Sequence, residues 1–345
     1  MKTKGIPLLV KENYLLLGRG YRIYRKDLAD GEENMVAAYR ASFPNRLLAA
    51  TPLGCRVARE GIQRLYESPA GDWLAIAKGK ILFKPAGSRN FVTTNAAYRG
   101  SRPLFLTFDP DLKRWYFGEY FSNPEREAVQ IFESHAGDDW HKVYTFPAGS
   151  IRHVHNIVYD PYRKGCWVLT GDSDAESGLW FTGDGFSSLE RVYSGSQAYR
   201  AVDIFVTEHT LLVPSDTPME ANAIRRIELP SGNISTVAEL ASSAFHSLVT
   251  PFGRVVTTVG EPSACNDELH ARLYLQRPGS ETWELKWEAR RDQFSDRSVK
   301  VFRYPELIPV GTSGDGKLFC VGIGLKSCGY GLVIINLVEI QKKLN

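Results

Sequence analysis

The chain is poor in several things that define common protein classes, and each shortage excludes one. Its five cysteines (Cys55, Cys166, Cys265, Cys320, Cys328) are scattered over 345 residues without a C-x-x-C pair. That pattern excludes a disulfide framework and a thiolate zinc site, and reads as reduced thiols. Net charge is only +3, and no basic run interleaved with aromatics stands out, so nucleic acid is not an expected partner. No stretch approaches the roughly 18 apolar residues of a membrane span. The early run "IPLLV" is cut short by Lys11 and Glu12 with no small-residue cleavage site, so it reads as a strand, not a signal peptide. These absences together predict a cytoplasmic protein. Helical periodicity is also nearly missing.

What remains is β-forming. Aromatics make up 12% of the chain and glycines number 30, matching the demand of strands for rings and of tight turns for glycine. Short apolar runs alternate with Gly, Asp, Asn, Ser and Pro, as in "RPLFLTFDPDLKRWYFGEY", "HNIVYDPYRKGCWVLTGDS", "VDIFVTEHTLLVPSDT" and "HSLVTPFGRVVTTVGEP". Each reads as strand, turn, strand, then a loop opened by an acid. First strands aligned near Arg99, Arg152, Arg200 and His246 step by 53, 48 and 46 residues. The closing acids Glu119, Asp172, Asp216 and Glu261 step by 53, 44 and 45. A strand–turn–strand segment follows each, as in "GLWFTGDGFSSLERVYS".

Four strands at a period in the mid-forties predict an all-β fold, a single β-propeller of four-stranded blades. Seven blades are preferred, at about 1–50, 61–95, 96–147, 148–195, 196–240, 241–290 and 300–345, with six as the alternative because residues 41–60 fit poorly. "TGDGFSSL" (Thr182 to Leu189) resembles the Asp-box, S-x-D-x-G-x-T-W, of sialidase-type propellers, with Phe186 in the glycine place. "GSETW" and "AGDDW" resemble degenerate versions. The resemblance implies a propeller, and in that family the box is a structural turn away from the active site. "FRYP" at 302–305 is similar to the sialidase F/Y-R-I-P element, which would give Arg303 the role of holding a sugar carboxylate. "GTSGDGKL" has P-loop spacing, but Leu318 replaces the hydroxyl residue and a strand follows, so a hairpin turn is expected.

A propeller would bring first-strand starts and second-strand ends to one mouth. The candidate catalytic residues there are His153, His155, Asp172, Asp216 and Tyr199. The candidate substrate-binding residues are Arg99, Arg152, Arg200, His246, Glu261 and Arg303. His153 and His155, two apart on a strand, share a face; they would be the ligands if a divalent metal bound, though no cofactor is otherwise called for. Arginine grips planar anions through paired hydrogen bonds, so the expected partner is an acidic oligosaccharide or polysaccharide. The leading expectation is a sialidase-like glycoside hydrolase using Asp172 and Asp216, or Tyr199 as nucleophile. The first alternative is a lyase in which His153 or His155 takes the proton beside a uronate carboxylate. The second is a non-catalytic glycan- or protein-binding propeller.

Overall fold

The computed structural model describes residues 4–295 and 302–339. It is built mainly of sheets in which strands consecutive in sequence pair antiparallel. The chain packs as two compact units, residues 64–236 and residues 1–63 with 237–345.

Unit 64–236 contains three four-stranded meanders that match the expected repeats. The first is Thr107–Asp109, Arg114–Gly118, Val129–Ser134 and His141–Phe146. The second is His153–Asp160, Gly165–Gly171, Gly178–Thr182 and Glu190–Ser194. The third is Phe205–Val206, Thr210–Pro214, Asn222–Glu228 and Ile234–Leu240. The first strand of the first meander starts at Thr107, so Arg99 precedes it in a loop. Arg200 lies just past a 3-10 turn, Gln197–Tyr199, well before its own short strand.

The repeated sequence has a repeated physical cause. Asp109 Oδ1 accepts the backbone N–H groups of Asp111 and Leu112, and Asp160 Oδ1 those of Tyr162 and Arg163, at 2.9–3.0 Å. Each turn then closes on a lysine at positive φ, Lys113 and Lys164, so both acids serve the hairpin. Trp115 and Trp167 are both buried, but the register puts Trp115 opposite Phe108 and Trp167 one place further along, opposite Val158, where it donates Nε1–H to Asp160. The turn at Thr182–Ser188 is built on Asp184, which accepts from Thr182 Oγ1, Ser188 N and Ser188 Oγ at 2.7–3.0 Å. Phe186 adopts φ +71° there and packs its ring on Tyr116 at 4.9 Å. Ring burial offsets the strain a side chain meets in the left-handed region.

In the other unit, Ala244–Thr250, Gly253–Thr258, His270–Gln276 and Trp283–Arg290 form a further four-stranded meander. Glu306–Thr312, Lys317–Leu325 and Cys328–Asn336 form three strands among the described residues. The Gly311–Leu318 motif spans the hairpin turn between the first two of these, as expected. The poorly fitting residues 41–60 fold as two short helices, Phe43–Leu48 and Pro52–Ala58. Each starts with a proline in its first turn, and Thr51 Oγ1 caps the second by accepting from Gly54 N at 3.0 Å. No described helix is long and apolar enough to cross a membrane, and none of the five cysteines is in a disulfide.

Candidate active site

The site lies within unit 64–236 and begins with a local irregularity. Strand His153–Asp160 pairs with Gly165–Gly171, with His153 opposite Gly171, Val154 opposite Thr170 and Asn156 opposite Leu169. His155 is skipped. It is the extra residue of a β-bulge, a device that re-aims a side chain beside functional sites. The register also requires the glycine, because a Cβ on Gly171 would lie 2.7 Å from His155 Cε1 and 3.1 Å from Arg200 Cγ.

Backbone carbonyls fix both imidazoles. His155 Nδ1 lies 2.8 Å from Ala201 O, and His153 Nδ1 lies 3.2 Å from Phe121 O. A carbonyl only accepts, so each Nδ1 carries its proton and each Nε2 is left with the lone pair. The two Nε2 atoms face one another at 3.1 Å, and Asp172 Oδ1 lies 3.8 Å from both. Three acceptors thus converge on one point. Burial, and then the neighbouring His155 ring, push the His153 imidazole down to about 3, which opposes placing a proton between the rings. Burial would raise the Asp172 carboxyl, but with both imidazoles neutral the Arg200 guanidinium beside it outweighs burial and holds the acid below the ordinary carboxylate range.

Asp172 is shared with two arginines. Arg152 Nη1 donates to its Oδ2 at 2.8 Å, and Arg200 Nη2 lies 3.2 Å from its Oδ1. Arg200 also donates Nη1–H to the Asp172 carbonyl at 2.7 Å and reaches Asp216 Oδ2 at 3.4 Å. Three buried polar atoms here have no partner among the described residues: Arg152 Nε, Arg200 Nε and Asp216 Oδ1. Such atoms are uncommon in buried structure and point to a missing ligand, water or ion.

The remaining expected residues of this unit are placed elsewhere. Arg99 is fully engaged by Glu119, Glu127 and the Ala128 carbonyl, with its guanidinium over the Phe121 ring; its part is to brace the Glu119–Phe121 loop. Tyr199 stacks on Tyr193 at 5.9 Å and packs against the core around Trp167. That placement gives the nucleophile role no support, because the ring belongs to packing. In the other unit, Glu306 joins His246 Nε2 at 2.8 Å and also pairs with Arg303. Arg303 stands at φ +60°. Glu261 contributes its carbonyl to Asn266 Nδ2 at 3.2 Å.

Sequence reasoning missed Tyr120, whose ring centroid is 4.2 Å from that of His153. Its signal was available, since it follows the closing acid Glu119 directly. The carbonyls of Phe121 and Ala201 had no sequence signal, because every residue has one.

No family model and no curated protein matches this chain. Solved structures do match. An oligogalacturonate lyase in complex with manganese is 11% identical, with 97% of this chain and 89% of that one covered and a TM-score of 0.62. The WD40 propeller domain of Doa1 is 11% identical over 97% of this chain and 94% of its own, at 0.57. An ancestral GH74 enzyme is 10% identical over 97% of this chain and 46% of its own, at 0.57. At such identity the likeness shows the fold, and the chain is a β-propeller in which four-stranded sheets recur.

Proposed function

We propose that this protein is a carbohydrate-active enzyme that cleaves a glycosidic bond in an acidic oligosaccharide, and that His153, His155 and Asp172 hold a divalent metal. The observation that carries the reading is the pair of Nε2 lone pairs facing each other beside a carboxylate. Two lone pairs at 3.1 Å repel unless a cation lies between them. A proton would make one ring an imidazolium next to the Arg152 and Arg200 guanidiniums, which electrostatics disfavours. A metal suits the spacing. With bonds of about 2.1 Å, ligand atoms are about 3.0 Å apart at right angles and about 3.4 Å apart in a tetrahedron. The three donor atoms lie within 4.8 Å of one another. The Nδ1-to-carbonyl bonds are the second-shell arrangement that orients metal-binding histidines.

Two histidines and one carboxylate leave coordination positions open, as catalytic sites do. A metal there supplies Lewis acidity toward a substrate carboxylate, and the adjacent guanidiniums are suited to bind the same anion. The site's charged side chains Arg152, Arg200, Asp172 and Asp216 cancel, so a divalent cation would leave it positive and selective for an acidic ligand.

Among bond-cleaving chemistries this arrangement favours elimination over hydrolysis. Asp172 is held ionised and cannot serve as a general acid. Elimination takes the proton from the carbon beside a uronate carboxylate, forms a C=C bond as the glycosidic C–O bond breaks, leaves that oxygen as a hydroxyl once it regains a proton, and consumes no water. If the histidines are ligands they cannot be the base. Asp216, with its unpartnered buried Oδ1, is then the proton acceptor. The manganese-bound lyase among the matching structures agrees with this reading without establishing it. The sialidase-type likeness bears on the Asp184 turn and provides no residue at the site.

The test is incubation of metal-loaded protein with oligogalacturonate and other acidic oligosaccharides. Ultraviolet absorbance of an unsaturated uronate is the readout for elimination, and reducing ends without that absorbance would mean hydrolysis. Metal-dependent binding without turnover would instead assign a non-catalytic role.

A further inference from the structure

We propose a second ligand site, in the unit formed by residues 1–63 and 237–345, that takes a compact sugar carrying two or more phosphate or carboxylate charges. It is independent of the cluster around Asp172. The site is a cavity of about 800 Å³, a volume typical of small-molecule sites.

Its floor is a closed ion pair. Arg56 is 2% exposed and gives Nη1 and Nη2 to the two oxygens of Asp292 at 2.6 and 3.2 Å. It also donates Nη2–H to Ser295 Oγ at 2.8 Å and Nε–H to Phe302 O at 2.6 Å. Asp292, the one acid among the described residues that line the cavity, is thereby neutralised. The walls still carry Arg290 and Lys326.

Strand register makes that surplus unfavourable in the empty protein. Arg291 bridges Leu325 in antiparallel fashion, flanked by Lys326 N–H to Arg290 O at 2.8 Å and Asp292 N–H to Gly324 O at 2.7 Å. This sets Arg290 directly opposite Lys326 on one face, where facing Cβ atoms lie about 5 Å apart and like charges destabilise. Neighbouring acids are already taken. Glu288, two residues before Arg290 on the same face, holds Arg272 Nε at 2.7 Å. His270, paired with Arg290 across the adjacent strand, bonds Asp267 at 3.0 Å. Neither Arg290 nor Lys326 has a side-chain partner among the described residues. An anion between them would relieve the repulsion and gain charge-assisted hydrogen bonds. Tyr330 and Phe294 line the same cavity, and aromatic lining suits a sugar ring over a bare ion.

Calorimetric titration of the full chain tests this with fructose 1,6-bisphosphate, trigalacturonate, glucose and inorganic phosphate. At least one charged sugar should bind, glucose should not, and inorganic phosphate should bind at least tenfold more weakly. Whether the phosphorylated or the carboxylated sugar binds identifies the source of the charge. The Arg290→Gln/Lys326→Gln variant should lose at least tenfold in affinity while its ligand-free melting temperature holds or rises. Binding here should survive His155→Ala, which separates it from the Asp172 cluster. The proposal is overturned if neither charged sugar binds, if phosphate alone binds equally well, or if the double variant binds unchanged.

Discussion

The histidine, acid and arginine clusters around His153 and around His246 lie in different units and differ in a single respect. In the His246 cluster, Nε2 meets Glu306 at 2.8 Å and Arg303 closes the other side of the same carboxylate. Donors and acceptors match, and the group is complete. In the His153 cluster, Nε2 meets Nε2 at 3.1 Å with Asp172 Oδ1 beyond hydrogen-bond range at 3.8 Å. Acceptor faces acceptor there. Residue types are nearly the same in both places, so composition does not make a site. The unmet lone pairs do.

The comparison can be broken most forcefully at His155. His155→Ala should lower affinity for Mn²⁺ or Zn²⁺ roughly 100-fold or more and abolish turnover, read by calorimetry and by metal content after dialysis. The matching change in the other unit, His246→Gln, should leave metal affinity untouched. Equal losses from both would dissolve the distinction.

Gly171→Ala tests the space rather than the ligands. Its Cβ would collide with His155 Cε1 and crowd Arg200. A loss of about 1–3 kcal/mol in stability is expected, together with weakened metal binding. Wild-type stability and affinity would mean that the bulge relaxes freely.

Proton linkage offers a third probe. The folded His153 ring titrates near 3, against about 6.5 when unfolded. Between those values the unfolded chain binds the extra proton, so stability is full above about 6.5 and falls as pH drops. With EDTA present, urea unfolding at pH 7 and pH 5 should show this loss, of about 1.4 kcal/mol per pH unit at most. His153→Phe should flatten the slope relative to wild type. The smallest effect belongs to the complete cluster, where His246→Gln should cost about 1–2 kcal/mol of stability, seen as a lower melting temperature.

Much of the fold was legible because the turn chemistry repeats. Asp109 and Asp160, each followed directly by Pro and at the same spacing by the turn-closing Lys113 or Lys164, fix two hairpins of one design and reveal the period. The residues before and between strands were less legible. Arg99 looked like a strand start but precedes Thr107 in a loop, because the apolar residues after it are not paired. Residues 41–60 became helices through local proline and threonine signals that the period could not absorb. At the site, His153, His155, Asp172, Arg200 and Asp216 were readable as side chains of one mouth. The bulge that skips His155 and the carbonyls that set its tautomer were not, since both are backbone properties.

The facing lone pairs of His153 and His155 are proposed to await a metal. The most direct test is calorimetric titration of EDTA-stripped wild-type protein with Mn²⁺ and with Zn²⁺ at neutral pH. The account predicts one tight site per chain that disappears in His155→Ala. Absence of a stoichiometric site in the intact wild-type protein for either ion would contradict it.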